Sequence, residues 1–338
     1  MAPPEVTFVI PAYNVANHLS VSVDAILAQT FQDWELIIVD DCSKDNTLAI
    51  AEEYSRRDSR IRVLRTELQS GGAYIPRKLA IENARSQIIA PLDADDKIGP
   101  QYLQNLLSMM MKEEEVDICY PVMYRWDGLH IGTAYSHEKT LLGKYLNGKD
   151  AVKYTLDGWR IHCNGGIIRK NIYLKAFESI NENEIGVKSY IDEYLSRHLL
   201  FNARKVVVCD ERYFYLNNPS SITHSGDIRS FGLLWNNSML LPFIKNHYPA
   251  DSEERILIER QNFHCYFDSI RILSRTSLNK NDLEKVRGML KQSKRNSDLA
   301  ILRKSVGWKY YSLFILPEKI GSFIFSRLLP YLPSKVND

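Results

Sequence analysis

The feature that most constrains the fold is the alternation of short apolar strands with helical segments through the first 100 residues. The predicted strands are rich in Val, Ile and Leu, as expected for strands that are buried on both faces of a parallel sheet. They span residues 6–10, 35–39, 61–64 and 87–90. Predicted helices alternate with them at residues 14–28, 47–57 and 77–84. This order predicts an α/β fold with an open, mostly parallel sheet and crossover helices.

Polar side chains close three of the predicted strands. They are Tyr13 and Asn14 after the first strand, Asp40 and Asp41 after the second, and Asp93 and Asp95 after the fourth. Ligands of open α/β sheets bind beyond the carboxyl ends of the strands. We therefore expect these side chains to share one edge of the sheet and to form a binding site there.

The rest of the chain is less regular. Residues 101–226 mix helical and strand patterns, whereas residues 227–338 read as helical throughout. Residues 270–338 hold 14 Lys and Arg against 5 Asp and Glu, an excess of +9, whereas the other 269 residues carry −7. We therefore predict a helical, basic C-terminal region from residue 227.

Composition narrows the class of protein. The formal net charge is only +2, so we expect no nucleic-acid partner. The five cysteines are widely spaced and form no C-x-x-C pair, which favours a reducing cytoplasm over a disulfide framework. No run approaches the ~18 apolar residues of a spanning helix. We expect a cytoplasmic protein with at most peripheral contact at the inner face of the membrane.

The segment Asp93-Ala94-Asp95 is a candidate metal site. Two carboxylates just past a buried strand can share a hard cation such as Mg²⁺ or Mn²⁺ with the phosphates of a substrate. Asp96 can orient the loop behind them. A turn that is rich in Asp is also common without any ligand, so the motif alone leaves both readings open.

Three ordered motifs remove much of that ambiguity. They are Val9-Ile-Pro-Ala-Tyr-Asn14, Ile38-Val-Asp-Asp-Cys-Ser-Lys-Asp-Asn-Thr47 and Ile89-Ala-Pro-Leu-Asp-Ala-Asp-Asp96. Together they resemble the signature of the family-two inverting glycosyltransferases with the GT-A fold, of the bacterial surface-polysaccharide type. The resemblance covers roughly residues 5–225. It implies a nucleotide-sugar-binding half at residues 1–100 and an acceptor-binding half at residues 101–226.

The resemblance implies roles for matching positions at the donor site. The residues that would bind the nucleotide-sugar are Pro11, Ala12, Tyr13, Asn14, Asp40, Asp41, Arg77, Asp93 and Ala94. Asp41, and less directly Asp40, would accept a hydrogen bond from the base, since a carboxylate suits a uracil N–H. Arg77 would bind phosphate or sugar oxygens through its planar fork of donors. Its surroundings depart from the family pattern, because Lys78 and Ala80 replace the usual Asn and Gly.

The resemblance also implies a catalytic base. Inverting transfer needs a carboxylate to take the proton of the attacking acceptor hydroxyl. The family places this base about 18 residues before an Asp-Glu pair, and counting back from Asp210 leads to Asp192. The preceding family Glu is Ile191 here. The alternative is that Asp192 and Glu193 only complement the dipole of a helix N-terminus.

Further candidates lie downstream. His224 is a candidate third metal ligand, with simple exposure as the alternative. Trp159, His162 and Asn164 are candidates for acceptor binding, although Trp159 also fits a core position. The aromatic and basic tail from Trp308 onward predicts either contact with a membrane surface or a helix that packs back on the protein.

The predicted function is metal-dependent, inverting transfer of a hexose or N-acetylhexosamine. The expected partners are a nucleotide-sugar donor, most plausibly a UDP-sugar, and a glycan or lipid-linked glycan acceptor in surface polysaccharide or lipooligosaccharide synthesis. The expected cofactor is Mn²⁺ or Mg²⁺. A non-catalytic nucleotide-sugar or glycan-binding protein is the main alternative. A sugar-nucleotide pyrophosphorylase is disfavoured, because the first strand leads into Pro-Ala-Tyr-Asn rather than a Gly-rich phosphate loop.

Overall fold

The computed structural model describes residues 3–134, 138–156, 161, 165–181, 191–216 and 227–316. The strands are β1 Val6–Ala12, β2 Trp34–Asp40, β3 Ile61–Arg65, β4 Ile88–Pro91, β5 Lys97–Ile98, β6 Val116–Trp126, β7 Ile131–Ala134, β8 Tyr145–Asn147, β9 Ile167–Arg169 and β10 Lys205–Leu216. The helices are α1 Leu19–Leu27, α2 Thr47–Arg57, α3 Tyr74–Asn83, α4 Tyr102–Met110, α5 Gly148–Ala151, α6 Lys153–Leu156, α7 Lys170–Ser179, α8 Ile191–Asn202, α9 Gly232–His247, α10 Glu253–Leu273, α11 Lys280–Asn296, α12 Leu299–Val306 and α13 Trp308–Ile315.

All the strands of the described residues belong to one sheet. Its order is β3-β2-β1-β4-β9-β6-β10-β5, with β7 beside β6 and β8 beside β10. Strands β1 to β4 run parallel, and β6 runs parallel to β10. Strands β5, β7, β8 and β9 run antiparallel to their neighbours. The predicted open, mostly parallel sheet with crossover helices is confirmed, and the helices from α9 onward confirm the helical C-terminal region.

Helix α1 begins later than its apolar spacing predicts. The pattern suggested a start near Asn14, whereas the helix begins at Leu19. Asn14 has a φ of +53°, a left-handed conformation that a helix cannot continue. The backbone N–H groups of residues 14–16 instead donate to side chains of the loop between β2 and α2 and of the first residue of α2, at 2.8 to 3.1 Å. The carboxyl ends of β1 and β2 are therefore joined directly.

Strand β10 is longer than predicted. The apolar run at residues 205–209 predicts a strand that ends before Asp210 and Glu211. In the structure, pairing with β6 resumes at Arg212 and continues to Leu216. Asp210 and Glu211 lie in a register shift between the two paired stretches. The strand continues because its second part pairs with β6 on one side and with β5 on the other. The bulge re-aims the strand towards the turn that follows β4.

Glu35 is a charged residue that lies inside the sheet. Glu35 of β2 is 1% exposed and accepts hydrogen bonds from the Thr7 hydroxyl at 2.8 Å and the Arg85 backbone N–H at 2.8 Å. The Arg85 guanidinium adds a 2.7 Å contact. Burial alone would raise the pKa of Glu35, but these hydrogen bonds and the Arg85 charge hold it below its ordinary value of 4.5. The carboxylate therefore ties β1, β2 and the start of β4 together at the amino end of the sheet.

The described residues fall into two compact units. The first contains residues 3–134, 138–155, 161, 165–181 and 195–216, and therefore the whole sheet. The second contains residue 156, residues 191–194 and residues 227–316. The sheet of the first unit includes strands from both sides of residue 100. The predicted domain boundaries at residues 100 and 226 stay predictions.

The helical unit has an aromatic core to which α13 contributes. Phe314 is fully buried, and its ring centroid lies 5.0 Å from that of Tyr266 and 5.8 Å from that of Phe263. Helix α13 therefore packs back on the helical unit, whereas residues 317–338, the rest of the predicted tail, lie outside the described residues. Among the described residues, none of the helices combines the length and apolar composition that crossing a membrane requires.

The buried carboxylate of Glu35 yields a stability prediction. We expect Glu35→Gln to lower the free energy of unfolding by about 1–3 kcal/mol at pH 7, because one of the two acceptor oxygens becomes an amide NH₂ group that cannot accept a hydrogen bond. The lowered pKa means that the native carboxylate stabilises the fold above pH 4.5 and that this contribution is lost as the pH falls below that value. The difference between variant and native protein should therefore narrow from pH 7 towards pH 3.5.

Urea unfolding across that pH range measures the difference. Glu52→Gln is the matched control, since Glu52 lies on the surface in an exposed pair with Arg56. A Glu35→Gln variant that is as stable as the control at every pH would contradict the assigned role.

Candidate functional site

The carboxyl ends of β1, β2 and β4 lie side by side, as predicted. The Asp41 N–H donates to the Ala12 carbonyl oxygen at 2.8 Å, and the Leu92 N–H donates to the Val9 carbonyl oxygen at 3.0 Å. The residues predicted for the donor site therefore meet at one edge of the sheet. This edge is the candidate functional site.

The loop after β1 is fixed by Asn14. Its side-chain oxygen accepts a hydrogen bond from the Lys44 N–H at 2.8 Å, across the gap between the first two strand ends. Pro11 and Tyr13 are half-buried and Ala12 is buried. Asn14 therefore holds the loop after β1 against the loop after β2. That these four residues line a nucleoside pocket stays a prediction.

The two aspartates after β2 make different contacts. Asp40 is fully buried, accepts from the Ser43 N–H at 3.2 and 3.3 Å, and lies 3.2 Å from the Arg65 guanidinium. Its carboxylate is therefore used within the turn and in an ion pair. That Asp40 contacts a base stays a prediction.

Asp41 holds the loop that follows β3. Its oxygens accept hydrogen bonds from the Thr66 hydroxyl at 2.9 Å and from the Ser70 hydroxyl at 2.9 Å. The Ser70 N–H adds contacts of 2.9 and 3.0 Å to the two oxygens. An ionised carboxylate offers about four acceptor positions, so these bonds fix the orientation of the group. Its contact with a base stays a prediction.

Arg77 and Asp93 form a close ion pair. The guanidinium nitrogen lies 2.8 Å from the Asp93 carboxylate, and the arginine side chain is 6% exposed. Arg77 belongs to α3, a regular helix despite the unusual Lys78 and Ala80, and Ala80 is fully buried. The predicted arginine is thus brought to one of the two predicted metal-binding carboxylates.

The turn from Asp93 to Asp96 is held from behind. The Asp96 N–H donates to the Asp93 carbonyl oxygen at 3.1 Å, and the Ser22 hydroxyl of α1 donates to the Asp96 carbonyl oxygen at 2.7 Å. Asp93 and Asp95 are half-buried, whereas Ala94 and Asp96 are buried. The turn therefore offers two carboxylates towards the edge and turns the third inward.

The inward carboxylate is bound by β10. The Tyr213 hydroxyl donates to one Asp96 oxygen at 2.5 Å, and the Leu216 N–H donates to the other at 2.9 Å. Burial, together with the charges of Asp93 and Asp95, raises the pKa of Asp96 well above its ordinary value of 3.8. The Asp96 carboxylate therefore points into the protein and supports the turn from behind.

Sequence reasoning missed Tyr213, Ser22 and Ser70. Tyr213 lies 117 positions from Asp96, and nothing in the local pattern of β10 marks its hydroxyl. One indirect signal exists at Gly165. It has a φ of +83°, and a Cβ there would lie 2.6 Å from the Tyr213 ring. A small residue is needed for that ring to pack.

Of the remaining predicted site residues, only Asp192 lies among the described residues. Asp192 lies in the first turn of α8 and is half-buried. Its role as the base stays a prediction. His224, Trp159, His162 and Asn164 lie outside the described residues.

The donor set fits a hard divalent cation. Mg²⁺ and Mn²⁺ are commonly held by one or two carboxylates that share the ion with substrate phosphates. Asp93 and Asp95 supply such a pair of oxygen ligands within one turn. Within the described ranges, no group of three or more His, Cys, Asp or Glu side chains is arranged to hold a metal ion by itself.

The sheet, its edge and the three motifs agree with a known family. Residues 7–173 match the family described as Glycosyl transferase family 2. These residues carry a glycosyl transferase family 2 domain. The family resemblance noted from the motifs is thereby confirmed, and the matched region includes all the donor-site residues named above.

Similar proteins include several bacterial glycosyltransferases. GlyG of Streptococcus pneumoniae is 25% identical over 249 residues, which are 71% of this chain and 78% of GlyG. The glucosyltransferase WfgD of Escherichia coli is 39% identical over 107 residues, 32% of this chain and 41% of WfgD. The poly(ribitol-phosphate) beta-N-acetylglucosaminyltransferase TarS of Staphylococcus aureus is 26% identical over 210 residues, 61% of this chain and 34% of TarS. The matched regions thus span less than half of WfgD and of TarS.

Solved structures of TarS residues 1–349 share the fold. The complex with UDP has a TM-score of 0.70 at 17% identity and covers 98% of this chain and 93% of that chain. The complex with UDP-GlcNAc has a TM-score of 0.67 at 17% identity and covers 92% and 86% of the two chains. At this level of identity the likeness establishes the fold, and it confirms the predicted GT-A architecture.

The support of the turn by β10 yields a prediction. We expect Tyr213→Phe to lower the free energy of unfolding by about 1–2 kcal/mol, because the buried Asp96 carboxyl loses a hydrogen bond. Chemical denaturation measures this loss. Tyr145→Phe is the matched control, since the Tyr145 hydroxyl of β8 contacts the weakly accepting sulfur of Met109 in α4 at 3.6 Å. Equal losses in the two variants would contradict the role of Tyr213.

Proposed function

We propose that this chain is an inverting glycosyltransferase that moves a hexose or N-acetylhexosamine from a UDP-sugar to a hydroxyl of a glycan. The observation that carries the proposal is the meeting of Arg77, Asp93 and Asp95 at the end of β4, beside the Asp41 loop, in a chain with a family 2 domain. The complexes of TarS with UDP and UDP-GlcNAc support a UDP-sugar donor.

The donor is proposed to bind across the carboxyl edge. The nucleoside lies against Pro11, Ala12, Tyr13 and Asn14, and Asp41 accepts a hydrogen bond from the base. The Thr66 and Ser70 donors fix the orientation of the Asp41 side chain, and a carboxylate oxygen can accept from a uracil N–H.

The diphosphate and the sugar are proposed to lie at the end of β4. Asp93 and Asp95 hold Mn²⁺ or Mg²⁺, which when bound supplies charge neutralisation for the leaving diphosphate. Arg77 orients Asp93 and offers donors to phosphate or sugar oxygens. The backbone of Ala94 lies between the two carboxylates and close to the donor. His224 is proposed as a further ligand.

Transfer is proposed to be a direct displacement. The acceptor hydroxyl attacks the anomeric carbon, the bond to the diphosphate breaks, and the proton of the hydroxyl goes to Asp192. The spacing between Asp192 and Asp210 supports this assignment. The first-turn position of Asp192 in α8 also fits a role in stabilising the helix.

The acceptor is proposed to be a lipid-linked glycan or a surface polysaccharide. WfgD is named for an acceptor linked through a diphosphate to undecaprenol, and TarS is named for poly(ribitol-phosphate). Both names describe acceptors that carry phosphate. An anionic acceptor is therefore the class to test first.

The second candidate function is nucleotide-sugar or glycan binding without transfer. The observation that favours it is Ile191, which stands where the family carries a glutamate beside the base. Release of UDP from UDP-glucose and UDP-GlcNAc, with and without Mn²⁺, separates the two. If the chain only binds the nucleotide-sugar, the ligand raises the unfolding midpoint of the chain but no UDP is released.

The metal-binding carboxylates yield an activity prediction. We expect Asp95→Asn to lower the rate of Mn²⁺-dependent UDP release at least about 100-fold, because the leaving diphosphate loses its charge neutralisation. Chelation with EDTA should abolish release in the native chain, and added Mn²⁺ should restore it. A coupled assay for UDP measures both.

Asp33→Asn is the matched control for that prediction. Asp33 is exposed and precedes β2, at the opposite edge of the sheet from Asp95. Release that is unchanged in Asp95→Asn, or unaffected by EDTA, would contradict the metal assignment.

Peripheral membrane contact is proposed for the basic C-terminal region. Trp308 is 62% exposed and lies beside the Arg303 guanidinium, 4.8 Å from its ring centroid. Aromatic and cationic groups on one surface suit an interface with anionic lipid. We expect the chain to float with vesicles of phosphatidylglycerol, and Trp308→Ala together with truncation after residue 316 to reduce the bound fraction severalfold.

The truncation point in that experiment preserves the core of the helical unit. Cutting after residue 296 would remove Leu302 and Phe314, both fully buried, and would destabilise the unit for an unrelated reason. Vesicles of phosphatidylcholine are the control for charge. Equal flotation of the native and altered chains would contradict membrane contact through this region.

A further inference from the structure

One face of the sheet carries an aromatic surface beside the donor edge. Strand neighbours in register place their side chains on the same face, and Phe214 of β10 pairs with Tyr124 of β6 on one side and with Lys97 of β5 on the other. Trp126 and Arg212 lie two residues along the same strands, on that face. We call Lys97, Tyr124, Trp126, Arg212 and Phe214 the aromatic face.

The rings of this face are partly open to solvent. Tyr124, Trp126 and Phe214 are half-buried, whereas residues 116–123 of β6 are buried. The centroids of Tyr124 and Phe214 are 6.4 Å apart, with the rings tilted by 42°. Ile131 of β7 pairs with Trp126 and is 52% exposed, which extends the apolar surface. Half-buried rings offer flat apolar surfaces that can be covered by a ligand.

Two cations complete the aromatic face. The Lys97 ammonium lies 5.6 Å from the centroid of Trp126, and the Arg212 guanidinium lies 5.4 Å from that of Tyr124. Both residues are exposed. Among the described residues, neither side chain has a carboxylate within ion-pair distance, although the chain has many acidic residues. Two cations that are held over rings, with no acidic partner among the residues the structure describes, attract an anionic ligand.

The position of the face points to the acceptor. Leu216 follows Phe214 in β10, and its backbone N–H binds the Asp96 carboxylate that supports the metal-binding turn. Lys97 lies two positions after Asp95. A ligand on the aromatic face is therefore next to the turn that presents the donor. A membrane is a poorer fit, because the face is small and flat and is interrupted by charges.

We propose that the aromatic face binds an anionic glycan, the rings stacking on its sugar units and Lys97 and Arg212 contacting its phosphate or carboxylate groups. This inference rests on the proposed function, since it names the class of acceptor for the same site. It assigns acceptor binding to residues of β5, β6 and β10 that the motifs of the sequence do not mark.

The test measures binding of two end-labelled oligomers to the full chain by fluorescence anisotropy. One is an oligomer of ribitol phosphate and the other an oligomer of glucuronic acid, so the two arms distinguish phosphate from carboxylate. Neutral chitohexaose is the uncharged comparison. We expect at least one anionic oligomer to bind about 10-fold more tightly than chitohexaose, and this preference to shrink at high salt.

Three variants locate the binding. We expect Trp126→Leu to weaken binding of that oligomer at least about 10-fold, and Trp126→Tyr, which keeps a ring, to restore most of it. The double variant Lys97→Glu with Arg212→Glu should remove the preference for anionic oligomers without touching a buried residue. Trp308→Leu, an exposed tryptophan outside the face, is the matched control and should bind as the native chain does.

The outcomes separate this proposal from the proposed function. Binding of neither oligomer, or equal binding by Trp126→Leu and Trp308→Leu, would overturn the aromatic face. So would loss of flotation with phosphatidylglycerol vesicles in Trp126→Leu while oligomer binding stays intact, because the occupant would then be a membrane. A chain that binds the oligomer through this face but never releases UDP refutes catalysis and leaves the glycan surface standing.

Discussion

The candidate site depends on the hydrogen bonds that hold Asp96 inside the protein. Tyr213 and Leu216 of β10 donate to its carboxylate, and Ser22 of α1 donates to its carbonyl oxygen. These contacts join the end of β4 to a distant strand and to the first helix. Without them the turn would be an exposed, acidic loop with many conformations. With them, Asp93 and Asp95 project from a fixed support, which is what a preorganised site requires.

The same turn concentrates negative charge. Three carboxylates lie within four residues, and one of them is fully buried. Burial and the neighbouring charges raise the pKa of Asp96, while Arg77 compensates Asp93 at 2.8 Å. Buried and closely spaced charges of this kind are common at functional sites, where a bound ligand neutralises the remaining charge. A cation shared with a diphosphate has the charge and the ligand preference to do so.

Strand β10 contributes both to the turn after β4 and to the aromatic face. Successive side chains of a strand point to opposite faces of the sheet. Tyr213 therefore points inward to Asp96, whereas Phe214 belongs to the aromatic face with Tyr124. The bulge at Asp210 and Glu211 sets this register, because it realigns the second part of β10 with β6. One strand thus supports the donor turn on one face and the proposed glycan surface on the other.

The sequence alone determined the sheet and the identity of its carboxyl edge. Buried strands of β-branched residues alternate with helices, and short-range periodicity records both, so the positions of β1 to β4 and of Asp41, Asp93 and Asp95 could be predicted. The family signature supplied their expected roles. The tertiary structure alone decided which side chains bind the aspartates. Ser70 donates a hydrogen bond to Asp41, Arg77 to Asp93, and Tyr213 to Asp96. Hydrogen bonds between side chains far apart in the chain leave no periodic trace, because they depend on strand register and on a bulge that local patterns do not encode.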